Sequence, residues 1–65
     1  MNTAKRAEEL ARERRLSLFG LAKLCDVSYS TLKNARQRGT QLSVDTIELI
    51  CHGLGITLAE FFVEG

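Results

Sequence analysis

This sequence predicts an all-α bundle, and three observations predict it. Apolar residues recur at i, i+3, i+4 and i+7 in several segments, the chain has no proline, and no strand-like alternation persists. Sixty-five residues make one domain at most, so residues 1–65 are expected to share one small core. A chain this short buries only about 60% of the surface its unfolded form exposes, so each core residue matters.

The first helix is expected from about Thr3 to Arg15. Thr3 can cap it, and Ala4, Ala7, Leu10, Ala11 and Arg14 form one stripe. Glu8 and Glu9 precede Arg12, Glu13 and Arg14, which makes i,i+4 pairs such as Glu8–Arg12 available on the outer face. Ser17 caps a second helix whose Leu18, Leu21, Ala22 and Cys25 share one side. Asp26-Val27-Ser28 then breaks the pattern. Asp tolerates the left-handed backbone of a sharp turn, and Val27 can plug the angle between two helices.

Ser28 caps a third helix, from about Tyr29 to Gln37, with Leu32 and Ala35 turned inward. Arg38-Gly39-Thr40-Gln41 reads as a loop, in which Gly39 supplies backbone freedom. Ser43 caps a fourth helix, and Asp45 in its first turn suits the helix dipole. Ile47, Ile50, Cys51 and Leu54 give the cleanest apolar stripe. Gly55 ends that helix and Ile56 follows as an apolar plug. Thr57 and Glu60 form a capping box for a short fifth helix carrying Leu58, Phe61 and Phe62. The expected core is therefore Leu10, Leu21, Ala22, Val27, Leu32, Ile47, Ile50, Cys51, Leu54, Ile56 and Phe61.

Several function classes fall away. No apolar run approaches the roughly 20 residues that span a bilayer. The amino terminus is polar and charged, unlike a secretory signal, so a cytoplasmic protein with no membrane partner is expected. Cys25 and Cys51 lie on apolar helix faces and read as reduced core thiols. A zinc site needs about four ligands, which His52 cannot complete, so no metal or cofactor is expected. No nucleophile pattern accompanies His52, and Gly53-Leu54-Gly55 lacks the context of a phosphate loop. Neither an enzyme nor a small-molecule ligand is expected.

The net charge is only +1, but its distribution is uneven. Residues 1–41 hold all nine Lys and Arg against Glu8, Glu9, Glu13 and Asp26, a balance of +5. Residues 42–65 hold Asp45, Glu48, Glu60 and Glu64 with no cation, a balance of −4. Such asymmetry suits an anionic partner on one face. The third helix carries Ser28, Tyr29, Ser30, Thr31, Lys33 and Asn34 on its leading and outer face, and each can donate a hydrogen bond. Ser and Thr are mediocre helix formers, so this run costs helix stability. The cost is easier to explain if the face binds something. A second helix presenting donors outward after a tight turn is the arrangement that enters a DNA major groove.

The order and spacing of these pieces resemble the Cro/phage-repressor (Xre) type helix-turn-helix family. The resemblance spans Leu10 to Phe62. It rests on Leu16-Ser17, Leu21-Ala22-Lys23-Leu24, Val27-Ser28-Tyr29-Ser30-Thr31-Leu32, Arg38-Gly39-Thr40, Asp45-Thr46-Ile47, Leu54-Gly55-Ile56 and Leu58-Ala59-Glu60-Phe61-Phe62. It implies a five-helix, lambda-repressor-like fold in which the second and third helices form the helix-turn-helix. It also implies a prokaryotic or phage transcriptional regulator that reads double-stranded DNA.

Carried over by position, the resemblance makes Tyr29, Ser30, Thr31 and Asn34 base contacts. Ser17, Ser28, Lys33, Arg38 and Thr40 become phosphate contacts. The chain departs from the family's habits at three places. Asp26 stands where many members carry Gly, and Leu18 where many carry Gln. Ala11 and Arg36 stand where many pair an Arg with a Glu, which leaves Arg36 to reach Glu8 or phosphate.

One recognition helix covers few base pairs, and family members usually pair two about 34 Å apart. A homodimer is expected within these 65 residues, with its interface at the carboxyl end. Leu58, Phe62 and Val63 are the candidates, with Leu42 a further possibility. The alternative function is a protein-interaction module, such as an antitoxin-like partner, for which the low net charge and Phe19 would speak.

Overall fold

The structure, a computed structural model, describes residues 2–63. Among these residues the chain forms five helices and no strand. They are α1 (Thr3–Glu13), α2 (Leu18–Cys25), α3 (Tyr29–Arg38), α4 (Val44–Leu54) and α5 (Leu58–Phe61). The expected fold class is the observed one. Helix α2 lies centrally, packed against α4 on one side and α3 on the other, while α1 closes over α3 and α5 backs α4. None of the described helices is long and apolar enough to cross a membrane.

Four of the five helices end in the same way. Arg15, Asp26, Gly39 and Gly55 all have positive φ. After each, a backbone N–H reaches back into the last turn: Leu16 to Ala11, Val27 to Ala22, Thr40 to Ala35 and Ile56 to Cys51, at 2.8–3.1 Å. This closure satisfies carbonyls that the helix leaves unpaired. Leu16, Val27 and Ile56 each follow the left-handed residue and fold back onto the core. Thr40 stands at the same point after α3 but is polar and exposed.

These closures correct two expected boundaries. Helix α1 stops at Glu13, because Arg15 takes the left-handed turn that lets Leu16 bond to Ala11. Helix α3 runs one residue further, to Arg38, because Gly39 is its left-handed cap. Two expected caps also differ. Asn2, not Thr3, caps α1, its Oδ1 accepting from the Lys5 N–H at 3.0 Å. Thr3 is buried instead. Its hydroxyl accepts from the Leu42 N–H and donates to Gln41 Oε1, both at 2.7 Å, so a loop amide that would otherwise lie unpaired in the interior is satisfied. Ser28 occupies the cap position of α3, but its side chain makes no capping bond. The Ser17, Ser43 and Thr57 caps and the Thr57–Glu60 capping box form as expected.

The core holds Leu10, Leu21, Ala22, Leu32, Ile47, Ile50, Cys51 and Phe61 as expected, joined by Ala4, Ala7, Ala11, Cys25, Ala35 and Leu42. Leu42 is thereby removed from the candidate dimer patch, because the Thr3 bond to its amide draws the loop inward. Val27, Leu54 and Ile56 are half-buried, packed on the core rather than enclosed by it. Both cysteines are free and buried. Loss of hydration raises both thiol pKa values. Cys51 adds to this for Cys25, and Glu48 and Glu60 add to it for Cys51.

Gly53 fixes the crossing of α2 and α4. A Cβ placed there would lie 2.5 Å from Cys25 Sγ and 2.9 Å from Cys25 Cα. The side of the turn is also tied by the Cys25 thiol, which donates to the Ile50 carbonyl at 3.6 Å. Arg6 clasps α5: Nε donates to the Phe61 carbonyl at 2.6 Å and Nη2 to the Glu60 carbonyl at 3.0 Å.

Two outcomes follow for stability, both read from thermal or denaturant unfolding. Leu32→Ala and Ile50→Ala remove fully enclosed side chains and should each cost roughly 2–5 kcal/mol; unchanged melting of either would contradict the packing. Gly53→Ala should cost about 1–3 kcal/mol by overpacking. Adding Cys25→Ala should restore only part of that loss, because the Cα clash remains; full restoration would mean that the thiol alone sets the helix spacing.

Candidate nucleic-acid interface

The turn between α2 and α3 is three residues long, and its geometry comes from Asp26. The left-handed φ of 57° and ψ of 42° at Asp26 close α2, and Val27 then folds against the core. Ser28 is extended, and α3 begins at Tyr29. Leu32 and Ala35 anchor α3 to the bundle. Every other residue from Ser28 to Thr40 is exposed. The predicted base contacts Tyr29, Ser30, Thr31 and Asn34 therefore share one exposed helix. Ser28, Lys33, Arg38 and Thr40 lie on the same element or the turns at its ends.

Their hydrogen-bonding groups are uncommitted. Among the described residues, the side chains of Ser28, Ser30, Thr31, Lys33, Asn34, Arg38 and Thr40 make no hydrogen bond or ion pair within the chain. Ser17 differs, since its Oγ accepts from the Gly20 N–H at 3.0 Å. Its hydroxyl proton remains available to an outside acceptor.

Cations elsewhere are mostly engaged. Arg36 Nε meets Glu8 Oε2 at 2.9 Å, and Arg12 meets Glu8 Oε1 at 3.3 Å. The Arg36–Glu8 pair joins α3 to α1, and Glu8 is one of the two partners, with phosphate, expected for Arg36. Arg14 donates to the Leu10 carbonyl, and Arg6 is held on α5. Lys33 and Arg38 are free at the face of α3.

Sequence reasoning missed one feature of this face. Phe19, in the first turn of α2, packs edge-on against Tyr29, with ring centroids 5.4 Å apart and planes at 78°. Lys23 Nζ lies 5.7 Å from the Phe19 centroid. The signal was present as an aromatic residue on the polar side of α2, but nothing in the spacing showed that its partner was Tyr29.

In α5 and just after it, Phe61 is fully buried while Leu58, Phe62 and Val63 are exposed. Phe62 still touches Phe61 edge-on, at 5.1 Å between centroids. Among the described residues no group of three or more His, Cys, Asp or Glu is placed to hold a metal ion.

No curated protein and no solved structure matches the chain. A family profile described as the Cro/C1-type HTH DNA-binding domain matches residues 8–63, from the middle of α1 past the end of α5. That span includes the whole turn between α2 and α3 and the uncommitted face of α3. Over most of its length, then, the chain belongs to the Cro/C1-type helix-turn-helix family of DNA-binding transcription regulators.

Proposed function

We propose that the chain is a sequence-specific reader of double-stranded DNA that represses transcription by occupying an operator near a promoter. The observation that carries this reading is the row of uncommitted donors on α3. A side chain with free hydrogen-bonding groups on a rigid, exposed helix is ready to exchange water for a base edge. In this reading α3 enters the major groove, with Tyr29, Ser30, Thr31 and Asn34 toward the bases. Asn34 is the most discriminating of the four, because a carboxamide can pair bidentately with adenine. Ser17, Ser28, Lys33, Arg38 and Thr40 hold the backbone at either side. The first turn of α2 adds N–H groups and a helix dipole suited to phosphate, which compensates for Leu18 at a position often held by Gln.

The reading includes a two-fold homodimer through Leu58, Phe62 and Val63. These residues are exposed and apolar, and they lie in the part of the sequence, residues 42–65, that contributes no Lys or Arg. Two protomers so joined would read a palindrome.

Selection from random duplexes followed by affinity measurements over a salt series tests the first part. Asn34→Ala and Ser30→Ala should each cost about 1–3 kcal/mol on the selected site and relax the preference there. Lys33→Ala and Arg38→Ala should weaken all sequences alike and lower the salt slope by about one unit each. An unchanged preference in Asn34→Ala would overturn the orientation of α3. A stable protein partner with salt-independent affinity and no duplex preference would favour the interaction-module reading. Sedimentation tests the second part. Phe62→Glu should shift the chain toward monomer and remove the advantage of a palindrome over a half-site, whereas a wild-type monomer that binds both equally would rule the dimer out.

A further inference from the structure

The Phe19–Tyr29 pair is an apolar island at the leading end of a polar face. Phe19 is 55% exposed and Tyr29 38% exposed. Both line a cleft of about 360 Å³ at the joint between α2 and α3, with Ala22, Lys23, Asp26 and Val27. The remaining exposed side chains in the first turn of α3, Ser30 and Thr31, carry hydroxyls. Hydroxyl groups accept several bases and specify little by themselves. An exposed ring reads something different. In the major groove the 5-position of a pyrimidine is where an apolar contact can discriminate, because a methyl group there has no polar partner to seek.

The rings are also prepared for such a contact. The edge-to-face packing on Tyr29 restrains Phe19 on one side, and the Lys23 ammonium lies near its ring on another. Less side-chain freedom is then lost on binding. Because Tyr29 is the first residue of α3, a groove that receives the start of this helix also receives the Phe19 ring.

We propose that Phe19, held by Tyr29, reads the 5-methyl group of a pyrimidine, on thymine or methylated cytosine, beside the base pairs met by the start of α3. The inference rests on the DNA-reading function proposed above. It makes Phe19 a specificity residue contributed by α2 rather than by the recognition helix itself.

The test uses the duplex recovered by selection, at fixed salt. Each thymine is replaced in turn by deoxyuridine, which lacks only the methyl group, and each cytosine by 5-methylcytosine. At one position, loss of the methyl should weaken the wild-type chain about fourfold, the equivalent of one buried methyl-sized group. If the site carries cytosine there, methylation should tighten binding by about the same factor. Phe19→Ala should bind the methylated and unmethylated duplexes alike. Phe19→Gln, similar in length but polar, should do the same and guards against any loss of packing in the smaller variant.

The proposal is overturned if no position responds to its methyl group. It is equally overturned if the response survives in both Phe19 variants, which would assign the methyl contact to another side chain such as Thr31. In either case sequence selection and salt dependence persist, so the DNA-reading function stands. Loss of all duplex preference in the wild-type chain overturns both.

Discussion

The close approach of α2 to α4 at Gly53 is the constraint on which the placement of α3 depends. The absence of a side chain at Gly53 lets the Cys25 backbone come so near that a Cβ would sit 2.9 Å from its Cα. Cys25 is the last residue of α2, and only Asp26, Val27 and Ser28 separate it from α3. With so short a connection, any displacement of the end of α2 is passed directly to the start of α3. The Cys25 thiol suits this position because it is small and weakly polar, and it finds the Ile50 carbonyl across the interface. Burial raises its pKa, so it stays protonated near neutral pH and brings no charge into the contact.

Electrostatics divides the cations into those that hold the fold and those left for a partner. Arg6 caps α5, Arg36 ties α3 to α1 through Glu8, and Arg14 turns back on α1. Exposed pairs of this kind contribute little individually, commonly about 0–1 kcal/mol. The Arg6 contacts are a different case, since they satisfy helix-end carbonyls and the side chain is only 13% exposed. Among the described residues, Lys5, Arg15, Lys33 and Arg38 remain without an internal partner. The +5 balance of residues 1–41 thus overstates the charge free to meet an anion.

The sequence was legible where a residue type has one dominant structural use. The stripe Ile47, Ile50, Cys51, Leu54, the Ser17 and Ser43 caps and the Thr57–Glu60 box all encode their element locally. Gly39 and Gly55 announce left-handed turns because only glycine enters that region without strain. Arg15 adopts the same turn with no such signal; it is held there by the Leu16–Ala11 bond, which depends on Leu16 packing onto the core. The burial of Leu42 is illegible for a similar reason. It follows from a bond to Thr3, thirty-nine residues away, which periodicity cannot register. At the candidate site, the donor-rich face of α3 could be read from composition, but the Phe19–Tyr29 packing could not, because it joins two helices whose relative angle is set by tertiary contacts.

The scarcity of free cations bears on how a reader of this design must work. Each phosphate neutralised contributes a log-log salt slope of about 0.9 for duplex DNA. A protomer with only Lys33 and Arg38 free on α3 has a weak electrostatic hold on any sequence. Base-edge contacts must then supply a larger share of the affinity, and such contacts tolerate little misplacement of the helix that makes them. Yet Tyr29, Ser30 and Thr31 are poor helix formers in the first turn, without a side-chain cap from Ser28. Helix α3 is therefore rigid only because the bundle makes it so, through Leu32 and Ala35 beneath it, the Arg36–Glu8 pair beside it and the Cys25–Gly53 contact behind its turn. In the proposed reading, residues that never reach DNA thus govern how well those that do can discriminate.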